Sequence, residues 1–109
     1  MISDESVESA VDYLRDNASK AAKAKAERIY AEEYRDVVKS QIMREFDDLG
    51  VGVQERNAKA DTRYAQHLKA IREAVEADEY HRWMMKAAEA KINAWQTQSA
   101  NNRGLERLR

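Results

Sequence analysis

Apolar residues recur along the first half of the chain at Val7, Val11, Leu14, Ala18, Ala22, Ala26, Ile29 or Tyr30, Tyr34, Val37 or Val38, Ile42, Phe46 and Leu49. Steps of three and four with charged residues between them predict one long amphipathic helix, over about 4–48. Steps of four outnumber those of a strict heptad, which favours a nearly straight or weakly right-handed pair over a left-handed supercoil. Ser3 is placed to cap this helix, Asp4 and Glu5 suit its positive end, and Ile2 and Val7 have the spacing of a hydrophobic staple. The stretch "DDLGVGVQ" breaks the pattern, so a turn is expected at about 49–54, with Gly50 or Gly52 as a left-handed C-terminal cap. A second stripe follows through Ala58, Tyr64, Leu68, Ile71, Val75, Met85, Ile92 and Trp95, predicting a helix over about 55–99. Asp61 offers a further N-cap, so residues 53–60 either continue that helix or form a separate turn. The amides of "QTQSANN" and Gly104 read as its end, leaving 100–109 as a tail.

Two long helices joined by one turn make an antiparallel hairpin. Centred near residue 51, it pairs positions whose numbers sum to about 102. Tyr34 then faces Leu68, Val38 faces Tyr64 and Val7 faces Trp95. The small residues Ala18, Ala21 and Ala22 meet Tyr80, Trp83, Met84 and Met85, which is how helices of unequal side chains approach closely. Between Tyr80 and Trp95 the second helix carries two apolar tracks, one through Tyr80, Met84, Ala88 (or Ala87) and Trp95 and the other through Met85 and Ile92. A hairpin buries one stripe per helix, so a homo-oligomer is expected, most simply a dimeric four-helix bundle or a coiled-coil-like assembly.

Composition sharpens this to an all-α chain of one domain. Charged residues make up 36% of the 109, with no proline, no cysteine and three glycines. The absence of cysteine excludes disulfides and thiolate metal sites. No apolar run reaches the ~18 residues of a membrane span. The acidic start "MISDESVES" argues against a signal or transit peptide, so a cytoplasmic setting is the expectation. Charge is uneven: residues 1–48 hold 12 acidic and 8 basic groups, and residues 82–109 hold 2 and 6.

Site chemistry is sparse. Asp78 and His81 have the i, i+3 spacing of half a di-iron motif, but His67 is preceded by Arg63 and Tyr64, and the second half is missing. No metal or other cofactor is expected. Glycine-rich phosphate loops and nucleophile elbows are also absent, which argues against an enzyme. Asp78 and Arg82, which can pair at i, i+4, interrupt the second stripe, either as a solvated drift of the seam or as a polar layer that sets register in the oligomer. Trp95, Gln96, Gln98, Asn101, Asn102 and Arg103, with Lys86, Lys91, Arg107 and Arg109, could grip a nucleic acid. In the hairpin, however, they lie beside the acidic first turns, which would neutralise them, so nucleic acid is not favoured. A protein partner suits the aromatics better, and the expected contact residues are Tyr80, Trp83, Met84, Trp95, Gln98 and Arg103.

"AERIYAEEYR" and the run Ala88, Ile92, Trp95, Gln96, Thr97 and Gln98 within "AAEAKINAWQTQSANNR" resemble small helical proteins of tailed bacteriophages and prophages. The resemblance covers most of residues 20–103. It implies an accessory role beside phage recombination or replication proteins, with no catalytic residues to carry over. The alternatives are a virion assembly or scaffolding component and a small direct DNA-binding protein. A secreted hairpin of the WXG type is disfavoured because "LGVG" holds no tryptophan.

Overall fold

The computed structural model describes residues 1–108, and the chain is all-α. Helix α1 spans Asp4–Met43, a short 3-10 turn covers Arg44–Phe46, α2 spans Val51–Ala60 and α3 spans Thr62–Arg107. Contacts divide the chain into two compact units, Met1–Ala21 with Tyr80–Arg109 and Ala22–Glu79. Each is a piece of antiparallel hairpin, since α1 and α3 run through both.

In the unit built on Ala22–Glu79, the inward positions of α1 are Ala24, Arg28, Ala31, Arg35, Val38 and Ile42, all buried or half-buried. Those of α3 are Tyr64, His67, Ile71, Ala74 and Asp78. Both series alternate steps of three and four, the 3.5-residue period of a left-handed helix pair. This corrects the expected straight or right-handed pairing. Ala22, Ala26 and Ile29, on the apolar track read from sequence, are exposed. The true seam runs one face over and includes Arg28 and Arg35, which a search for apolar residues passes by. The register holds to within about one turn: the Tyr34 and His67 rings lie 5.8 Å apart, and His67 Nε2–H donates to the Ala31 carbonyl at 2.7 Å.

Asp78 is buried, 9% exposed. Its carboxylate accepts a hydrogen bond from Arg28 Nε across the helix pair, and Arg28 also reaches Glu32 at 3.1 Å. The partner of Asp78 is thus on α1, where local spacing on α3 had suggested Arg82. Asp78, then Glu32, holds the Arg28 guanidinium above its ordinary pKa. Of the two residues read as interrupting the seam, Arg82 is exposed and Asp78 is buried in a pair with Arg28 of the same chain. Arg35 Nε is buried without a hydrogen-bond partner, so the seam contains polar atoms that add little cohesion.

The connection differs from expectation in three ways, each with a local cause. Helix α1 tightens into the 3-10 turn, and Leu49 N–H closes on the Phe46 carbonyl at 2.9 Å. No glycine is left-handed: Gly50 has φ −64° and ψ 155° and starts α2, its carbonyl accepting from Val53 and Gln54. The Leu49 carbonyl accepts from Gln54 Nε2 at 2.7 Å. Residues 51–60 are a helix of their own, ended by the extended Asp61. Ile42 and Ala58, 1% and 0% exposed, mark the tight centre of this end.

Asp61 caps α3. Its Oδ1 accepts the Arg63 backbone N–H at 2.8 Å, and Arg63 folds back through Nε at 3.0 Å while also reaching Glu45 at 2.6 Å. The Arg63 side chain first, then its backbone N–H, holds the Asp61 carboxyl below the usual range. Lys39 does the same to Glu55 from 3.2 Å, helped by Lys59. A depressed folded pKa contributes stability above the unfolded value, near 4 for a carboxylate, that is lost as pH falls through the folded value. Asp61→Asn keeps a good cap but no charge. The variant should have the lower melting temperature at pH 7, and the gap should close as the pH falls below about 4. A gap independent of pH would show that the carboxylate charge at this corner is irrelevant to stability.

In the other unit the inward series continues in the same period, with Val7, Ala10, Leu14, Asn17 and Ala21 from α1 and His81, Met85, Ala88, Ile92 and Trp95 from α3. Ser3 caps α1, its Oγ accepting the Ser6 N–H at 3.1 Å, as the sequence indicates. The expected tail at 100–109 is instead helix to Arg107. Amides are weak stop signals, a single Gly104 costs only about 1 kcal/mol, and no proline intervenes. Arg109, assigned to the basic tail, lies outside the described residues.

Candidate functional site

The six residues expected to contact a partner all belong to α3 within the unit of Met1–Ala21 and Tyr80–Arg109, and they separate into two groups. Trp95 and Gln98 fasten the unit internally. The indole N–H of half-buried Trp95 donates to Asp4 Oδ1 at 3.0 Å, and the Gln98 Oε1 accepts the Ile2 backbone N–H at 3.3 Å. An indole suits this place because its ring extends the seam while its one donor reaches a carboxylate at the rim. The two residues therefore hold the start of α1 on α3, and the partner role expected of them is taken up inside the chain.

Tyr80, Trp83 and Met84 are free of that duty. Tyr80 is 60% and Trp83 61% exposed, so the expected meeting of Ala18, Ala21 and Ala22 with these rings gives way to rings turned toward solvent. The heptad explains it: with His81 and Met85 inside, Tyr80 and Met84 fall on a flank of the pair and Trp83 on its back. Lys86 Nζ stands 4.8 Å from the centre of the Trp83 indole and the Arg82 guanidinium 5.9 Å, giving that ring a cationic collar. Arg103 is exposed on the last turns of α3, where it lines a separate shallow hollow with Ala100, Gly104 and Arg107.

Beside Met84 lies an open apolar groove of about 270 Å³, lined by Ser9, Ala10, Tyr13, Met84, Ala87, Ala88 and Lys91. Small side chains from both helices form its floor, and Tyr13, Met84 and Lys91 form its rims. Sequence reasoning missed Ser9 and Tyr13 because it followed the wrong track of α1, and it had Lys91 only as a candidate cation for nucleic acid. The signal was present in the period: once Ala10 and Ala88 are inside, Tyr13 and Met84 must flank them on one side.

Comparison with models of known families, with curated proteins and with solved structures yields no match. The site is therefore characterised by its own geometry. Among the described residues no three His, Asp or Glu side chains gather to hold a metal ion. No helix of the described residues is long and apolar enough to cross a membrane. Arg15 of this unit pairs with Asp12 and Asp16 along α1 itself. The expected neutralisation of the basic end of α3 by the acidic start of α1 is not made through Arg103 or Arg107, which form no ion pair with other described residues.

Proposed function

We propose that this chain is a non-enzymatic helical-hairpin protein that works through protein–protein contacts made by the flank of α3. One observation carries the reading. Tyr80, Trp83 and Met84, the aromatic and methionine residues typical of interface anchors, are exposed on α3, and Met84 lines an apolar groove. A shallow groove without convergent polar groups suits a protein surface better than a small substrate. The resemblance of the segments around Tyr30 and Trp95 to phage and prophage helical proteins points to a partner in phage DNA recombination or replication, in the host cytoplasm. A role in virion assembly is the alternative within that setting.

The test is affinity capture from phage-infected cells with the wild-type chain and with Tyr80→Ala/Trp83→Ala. Recovery of a recombination or replication protein by the wild type and its loss with the double variant is the expected result. Capture of portal or capsid proteins would favour assembly, and equal capture by both chains would remove this flank from the contact. The cationic collar of Trp83 also favours a second reading, base stacking on single-stranded DNA. That reading requires binding that weakens steeply with salt and is lost in Trp83→Ala.

A further inference from the structure

The flank of α3 has its own helical register. Tyr80, Met84, Ala87, Lys91 and Ala94 alternate steps of four and three, the same period as the buried seam but displaced by one residue. Tyr80 is 60% exposed, and Met84, Ala87 and Lys91 line the groove. This is a second coiled-coil stripe without a covering helix.

We infer that a second copy of this chain covers it, docked about a two-fold axis parallel to the helices, so that α1 of each copy lies on α3 of the other. The inference rests on the reading of this flank as a protein-binding surface and names its occupant. Charge selects the occupant and its orientation. Within the unit, residues 1–21 carry five acidic and two basic groups, and residues 80–108 carry five basic and two acidic. Each helix is therefore the electrostatic complement of the other. An axis parallel to the helices sets acidic α1 against basic α3, whereas an axis across them sets α1 on α1 and opposes like charges. A self-complementary pattern of this kind is what an isologous dimer needs and what an unrelated partner would have to reproduce.

Surface area agrees. The chain exposes 8212 Å². A folded monomer of 12.6 kDa is expected to expose about 6,200 Å². The excess, about 2,000 Å², exceeds the ~800 Å² that each partner gives to an interface of standard size.

Sedimentation of the purified full chain at tens of micromolar should give twice the 12.6 kDa mass. Met84→Glu and, separately, Tyr13→Glu should weaken association by about tenfold or more while the helical circular dichroism is kept. Orientation is read by mixing two single-cysteine chains, Asp16→Cys and Ala87→Cys, which should form a disulfide between copies. A wild-type mass of one chain overturns the inference and gives the flank to a different protein. A dimer that survives both glutamates overturns the placement, and ready self-crosslinking of Asp16→Cys overturns the orientation. A monomer that still captures a phage protein through Tyr80 and Trp83 would sink the dimer alone, leaving the broader reading of the flank intact.

Discussion

Ile42→Ala should destabilise the chain by about 2–5 kcal/mol, the range for truncating a fully buried aliphatic side chain. Ile42 is 1% exposed and is the one large side chain completely enclosed among the described residues. The other buried apolar residues are Ile71 and four alanines, Ala10, Ala24, Ala58 and Ala88. A seam so poor in large side chains has few neighbours to fill a cavity, so the site should relax little and the cost should lie in the upper half of the range. Urea unfolding followed by circular dichroism measures it. Val37→Ala, at a position 41% exposed, is the control and should stay within about 0.5 kcal/mol of wild type. A loss below about 1 kcal/mol for Ile42→Ala would mean that the turn end of the hairpin opens without unfolding the rest, which amide exchange at Ala58 would then reveal.

Asp78→Ala is the second large effect, an expected drop of roughly 10 °C in melting temperature. Removing one partner of a buried ion pair leaves the other charge with its desolvation and without its compensation. Glu32 tempers the loss, because it holds Arg28 from the same helix at 3.1 Å. Replacing both partners, Arg28→Leu with Asp78→Leu, should recover the wild-type melting temperature or exceed it, since an apolar layer of similar volume needs no desolvation of charge. The consequence lies in specificity. The Arg28–Asp78 layer permits one alignment of α1 on α3, while the alanines at Ala24 and Ala31 on either side tolerate a slip of one heptad. The double variant should therefore form intrachain disulfides less selectively than wild type when cysteines are introduced at 35 and 67. If its selectivity matches that of the wild type, the turn alone sets the register.

Much of this was legible in the residues. Ser3 and Asp61 were readable as caps because a short oxygen-bearing side chain before a helical run has few other uses, and both carry out that role in the structure. The hairpin register followed from the single interruption of the pattern near residue 51. The exposure of Tyr80, Trp83 and Met84 was half legible, since their apolar character marked an interface but their direction was assigned inward. What failed was the choice of face on α1. With alanine on every side of this helix, hydrophobicity barely distinguishes its faces. The seam at Asn17, Arg28 and Arg35 is polar enough to be rejected by any apolar count. The stop at 100 failed for a related reason, because helix propensity differences among Gln, Ser and Asn are a few tenths of a kcal/mol and cannot end a helix unaided.

By itself, then, the sequence determined the all-helical state, the single reversal of the chain and the capped starts of α1 and α3. Each depends on interactions within a few residues: intrinsic propensity, the absence of proline, and an oxygen placed beside free backbone N–H groups. Only the tertiary structure decided which of two neighbouring heptad tracks became the seam, because that choice turns on pairs far apart in the chain. Arg28 with Asp78, Ala31 with His67 and Asp4 with Trp95 have no local signature. A shift of one residue on a helix turns a side chain by about 100°. That rotation places Trp95 within the chain as a fastener for Asp4 and leaves Tyr80 and Met84 on the flank, beside a groove that no local pattern marks.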